Sequence, residues 1–104
     1  VELDYAKAFE WYEKAAEQGL VDAEINLGVM YYHGQGVTRD VRQAFDWFER
    51  YADQGYAKAQ YNLAFMYDQG LGVEQDYDQA SFWFEKAAEQ GEPLTEFWLE
   101  SLNE

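Results

Sequence analysis

The chain has 104 residues, 48% of them hydrophobic and 19% aromatic, with no cysteine, and 21 acidic against 7 basic residues give a net charge of −14. Such a composition folds, because disordered chains are poor in apolar and aromatic residues, and a chain this size buries roughly two-thirds of its unfolded surface in one modest core. The charge excludes nucleic acid and anionic membrane surfaces as partners, since both are bound through Lys and Arg, while the missing cysteine excludes disulfides and thiolate metal sites.

No apolar run approaches the roughly 18 residues that a membrane span requires. The sequence carries no signal-peptide pattern, and cysteine usage does not fix the compartment, which stays open between cytoplasm and, after removal of a signal peptide, periplasm or exterior. A first residue of Val1 is what a processed product or an expressed fragment would show.

A shift of 36 residues lays the chain on itself. Val1, Val37 and Val73 coincide, as do Asp4, Asp40 and Asp76; Ala8, Ala44 and Ala80; Trp11, Trp47 and Trp83; and Gly19, Gly55 and Gly91. In the other half of the unit Ala23 matches Ala59, Asn26 matches Asn62, Leu27 matches Leu63, Tyr31 matches Tyr67, and Gly34 and Gly36 match Gly70 and Gly72. Self-similarity at such a period is the signature of a repeat fold.

In chain order, the first helix of each type follows Asp4, Asp40 or Asp76, whose carboxylates are placed as N-caps. Gln43 and Gln79, three residues on, resemble the reciprocal half of a capping box. Ala44, Trp47, Phe48, Tyr51 and Ala52 make one apolar stripe at helical spacing. Lys14, Arg50 and Lys86 suit the negative end of the helix dipole, and Gly19, Gly55 and Gly91 stop the helix.

The second type runs from about Asp22 to His33 and again from about Ala57 to Gln69, packing through Ala23, Leu27, Gly28 and Tyr31, then Ala59, Leu63, Ala64 and Tyr67. The small residues Gly28 and Ala64 admit a close neighbour. Gly34-Gln-Gly-Val37 and Gly70-Leu-Gly-Val73 end these helices and turn the chain; a phosphate loop would follow a strand, and here a helix precedes the glycines. The reading is six helices in one domain: a partial repeat at 1–19, repeats at 20–55 and 56–91, and a last helix at 92–104.

The run Ala23, Leu27-Gly28, Tyr31, Gly34, Gly36-Val37, Asp40, Ala44, Trp47-Phe48, Ala52 and Gly55 resembles a Sel-one-like repeat, and the run from Ala59 to Gly91 resembles it again. The resemblance implies an all-α fold, a right-handed α/α superhelical solenoid of about two and a half repeats, similar to tetratricopeptide repeats, to which the sequence itself adds a C-terminal capping helix. It also implies an adaptor role, since members, many of them bacterial, generally serve in protein complexes. After Gly91 the pattern departs: Thr95, Glu100 and Asn103 stand where Ala, a small residue and Tyr are expected, and Pro93 suits a helix's first turn. Polar residues at those positions suit the terminal cap of a longer array.

Repeat scaffolds bind through a concave face, which the resemblance assigns to the helices beginning near Asp22, Ala57 and Pro93. Positions left free by the packing stripe are Asp22, Ile25, Asn26, Val29 and Tyr32; then Lys58, Tyr61, Asn62, Phe65 and Asp68; then Leu94, Phe97 and Trp98. Together they describe an aromatic groove with two aligned asparagines, able to hold a peptide or protein; the competing reading packs several of these rings between helices. A basic partner fits the charge.

No cofactor or metal site is expected, and no catalytic one. The single histidine, His33, has no nucleophile or paired carboxylate beside it, and the link of some cysteine-rich relatives to hydrolysis finds no cysteine here to inherit. Glu92, Glu96, Glu100 and Glu104 share one helix side and read as a solvated capping face. An alternative to the adaptor is self-association into a homo-oligomer through the helix at 3–18, where Tyr5, Phe9 and Tyr12 have no preceding helix to pack on.

Overall fold

The computed structural model describes residues 4–90. The helices are α1 (Tyr5–Glu17), α2 (Val21–His33), α3 (Val41–Asp53), α4 (Ala57–Gln69) and α5 (Tyr77–Glu89), with no strand among the described residues. Each packs chiefly on its neighbours in sequence, so the molecule is an all-α helical-repeat solenoid. The expected last helix at 92–104 lies outside the described residues.

The odd-numbered helices start as expected. The Asp4 carboxylate accepts from the Lys7 amide, Asp40 from Gln43, and Asp76 from Asp78 and Gln79, which satisfies N–H groups that no helical turn reaches. The capping-box reading of Gln43 and Gln79 does not hold. A reciprocal bond needs a free N–H on the cap residue, and here the Asp40 and Asp76 amides already donate to the carbonyls of Tyr31 and Tyr67. The preceding helix takes the donor that the glutamine would have used.

The helix ends are equally local in origin. At α3, Gly55 with φ +99° lets its own amide reach the Ala52 carbonyl while the Tyr56 amide reaches Tyr51, the double bond of a Schellman ending. Gly36 and Gly72 have a second duty. A Cβ on either would collide with the backbone of Tyr5 or Val41 at the start of the preceding odd-numbered helix. The glycine loops are therefore where one unit lies flat on the one before, and Arg42 ties that seam by donating to the Gly72 carbonyl at 3.0 Å.

The core lies on α2, α3 and α4. Ile25, Phe48, Leu63 and Met66 are fully buried, with Ala44, Phe45, Tyr51 and Ala52 around them. Trp47, read as part of the stripe, is only half-buried, whereas Phe45, which the stripe omits, is 3% exposed. Two edge-to-face pairs repeat across the units, Phe9 on Tyr31 at 5.6 Å and Phe45 on Tyr67 at 5.5 Å. Helices α2 and α4 are enclosed on most sides, while α1 contributes no buried residue at all.

Candidate partner-binding groove

Helices α2 and α4 begin without a side-chain cap, because Leu20 and Tyr56 stand where the odd-numbered helices carry Asp. An apolar residue at such a place cannot bond the first turn, and it stays at the surface: Leu20 is 56% exposed and Tyr56 40%. Around these two residues the surface is concave.

One lobe of about 570 Å³ is walled by Trp11, Tyr12, Ala15, Leu20 and Tyr56, with Asp22 and Asn26 as its polar members. A more polar lobe of about 490 Å³ shares Asp22 and Tyr56 with it and adds Ile25, Lys58 and Gln90. A third of about 210 Å³ shares Tyr12 and Asn26 and continues over Tyr5, Val29 and Met30. The shared walls make one furrow across α1, α2 and the start of α4.

The polar end is pinned by amides. The Gln90 side chain donates to the Gly55 carbonyl at 2.8 Å and to the Gln60 side-chain oxygen at 2.9 Å, and buried Gln60 donates to the Ala52 carbonyl at 3.3 Å. On α3 a separate hollow of about 210 Å³ lies among Gln43, Asp46, Trp47 and Arg50, where Arg50 covers the Trp47 ring.

The positions expected to face a partner divide in two. Asp22 is exposed, and Asn26, Lys58, Tyr61 and Asp68 are partly so. Ile25, Val29, Tyr32, Asn62 and Phe65 are all under 10% exposed. Ile25 and Val29 nevertheless line the furrow from below. Tyr32 lies under the Arg39 guanidinium, 5.3 Å from its ring centre, and Tyr61 meets Phe84 edge-on at 5.4 Å.

The two asparagines are not alike: Asn26 opens into the furrow, while Asn62 is wholly buried with neither amide atom partnered. Leu94, Phe97 and Trp98 fall outside the described residues. Trp11, Leu20, Tyr56 and Gln90 were not among the positions expected to face a partner. For Leu20 and Tyr56 the signal was an apolar residue at a helix-cap position.

Among the described residues no group of His, Cys, Asp or Glu is arranged to hold a metal, and no helix is long and apolar enough to cross a membrane. His33 has a buried, unpartnered Nε2. Burial, and then the nearby Arg39 charge, hold its pKa below 6.5.

Known proteins share this fold. The Sel1 repeat description matches residues 1–20, 21–56 and 57–92. The chain is similar to a protective antigen of uropathogenic Escherichia coli displaying an SLR fold, with TM-score 0.79 and 46% identity over 88% of this chain and 20% of that one. It is similar to a Sel1 repeat protein from Oxalobacter formigenes, with TM-score 0.80 and 39% identity over 88% of this chain and 38% of that one.

Helicobacter pylori cysteine rich protein B matches with TM-score 0.75 and 26% identity over 89% of this chain and 70% of that one. Among curated relatives, DAP3-binding cell death enhancer 1 of Rattus norvegicus is 42% identical over 38 residues, which is 36% of this chain and 8% of its own length. An uncharacterized protein of Neisseria meningitidis serogroup B is 54% identical over 35 residues, 34% of this chain and again 8% of its own length. With three consecutive matches along its length, the chain belongs to the Sel1 repeat family, whose members are generally non-catalytic protein–protein interaction scaffolds.

Proposed function

We propose that this chain is a scaffold that holds a peptide or protein in its furrow, with Asp22, Asn26 and Lys58 as surface contacts over a floor that includes Ile25 and Val29; Tyr61 and Asp68, also expected as contacts, lie outside its walls. One observation carries the reading. Of the six large hydrophobic side chains exposed among the described residues, four, Tyr5, Trp11, Leu20 and Tyr56, line this furrow. Exposed apolar side chains that cluster in a concavity mark contact surfaces, whereas scattered ones need no explanation. The name of DAP3-binding cell death enhancer 1 describes a binding protein and supports the same class of role.

Selection of a random displayed-peptide library on the chain tests this. Enriched peptides should lose about fivefold to thirtyfold in affinity on Asn26→Ala, the range of a working interface residue, with helical circular dichroism and melting unchanged. Asn62→Ala would not separate binding from folding, because Asn62 is sealed in the core. No enriched peptide, or affinities indifferent to Asn26, would end the furrow reading.

A second reading, self-association, is favoured by α1, which buries no residue and leaves Trp11 76% exposed. Light scattering across a concentration series decides it: a dimer whose mass collapses on Trp11→Ala supports it, a monomer throughout removes it.

A further inference from the structure

The aromatic lobe has an internal counterpart one unit further along. Shifted by 36 residues, Trp11, Ala15, Leu20 and Asp22 become Trp47, Tyr51, Tyr56 and Lys58. In the second unit the indole is covered from within. The Tyr51 ring stacks on Trp47 with centroids 6.2 Å apart and planes 16° from parallel, and it meets Tyr56 edge-on at 6.2 Å. The Arg50 guanidinium also lies over Trp47, 5.2 Å from its ring centre.

In the first unit Ala15 stands where the stacking phenol would be, and Trp11 faces an open lobe of about 570 Å³. The charge at the lobe is reversed as well, with the Asp22 carboxylate where the second unit has the Lys58 ammonium.

We propose that this lobe receives an arginine from a basic segment of the partner protein, its guanidinium stacked on Trp11 and its N–H fork against Asp22. The proposal rests on the scaffold reading and names the chemistry it selects. A purely apolar side chain would fill the space but strip water from Asp22 without replacing its hydrogen bonds. A lysine brings a compact, strongly hydrated charge and no plane to stack. A guanidinium supplies both, a flat cation for an indole face and paired donors for a carboxylate. Asp22 has no ion-pair partner among the described residues, and Lys58 lines the neighbouring polar lobe, not this one. The net charge of −14 repels an acidic segment and draws in a basic one.

Two blocked peptides test it, identical and uncharged except for one central residue, arginine in the first and the neutral planar isostere citrulline in the second. Each is titrated at low salt into the isotopically labelled 104-residue chain, followed by the Trp11 indole and Asp22 amide resonances. Both side chains are exposed, so Trp11→Ala and Asp22→Asn should keep the wild-type melting curve.

The arginine peptide should shift both signals to saturation and bind about threefold to tenfold tighter than the citrulline peptide. Asp22→Asn should erase that preference, and Trp11→Ala should weaken both peptides. Equal binding of the two peptides, shifts mapping elsewhere, or Trp11 signals that move with protein concentration alone would overturn the assignment; the last would place a second copy in the lobe. If displayed peptides still bind through Asn26 while arginine shows no preference, only the arginine assignment fails. If no peptide binds by either method, the scaffold reading fails with it.

Discussion

At Gly28 the local helix preference and the packing oppose each other. Alanine is favoured over glycine inside a helix by about 1 kcal/mol. A Cβ at this position, however, would lie 2.8 Å from Phe48 Cε1 and 3.1 Å from Trp47 Cβ. Phe48 is wholly buried and its ring has nowhere to swing. Overpacking of this kind costs about 1–3 kcal/mol, which outweighs the preference. Gly28→Ala should therefore lose about 1 kcal/mol net in urea unfolding, with an unchanged slope. A gain instead would show slack between α2 and α3. The next unit holds Ala64 at the same place, fully buried, so that junction is already spaced for a methyl group.

At the scale of the element, α3 is where the core closes, and its two large neighbours differ in kind. Phe48 is wholly enclosed, while Trp47 keeps part of its indole in water beneath Arg50. Phe48→Ala should cost about 3–5 kcal/mol, as removal of a buried ring does. Trp47→Ala should cost less, since part of its surface is never withdrawn from water. Paired melting curves check the order, and a larger loss at Trp47 would place the centre of the core on the indole.

Helix starts and stops were legible because their causes are local: an Asp carboxylate over a first turn, a glycine past a last one. The furrow was legible only in part. An apolar stripe shows that a helix packs but not how many neighbours it has. α2 and α4 meet neighbours on more than one side, so Ile25, Val29, Tyr32, Asn62 and Phe65, read as free, are enclosed. Trp11 shows the converse. Its residue type matches Trp47 and Trp83, and only the three-dimensional arrangement shows that among the described residues Trp11 stays 76% exposed while the other two are partly buried.

At the scale of the whole molecule, acidification acts in two opposing ways. Residues 4–90 carry 16 acidic against 7 basic side chains, so protonating carboxylates relieves self-repulsion and favours the compact state. His33 works against this. In the folded chain burial, and then Arg39, hold its pKa below 6.5, so the imidazole is neutral where an unfolded chain would take a proton. Its contribution is intact above 6.5 and is lost as pH falls through 6.5 towards the lower folded value, because protons then favour the unfolded chain. The melting temperature of the wild type alone sums both effects and isolates neither.

The comparison that separates them uses His33→Gln, the residue that the second unit carries at Gln69. Glutamine does not titrate, so the variant keeps the carboxylate response and loses the imidazole's. Between about pH 7.5 and about pH 5.5 the wild type should lose stability relative to the variant. Curves that move in parallel would mean that the imidazole takes up its proton as readily in the fold as outside it.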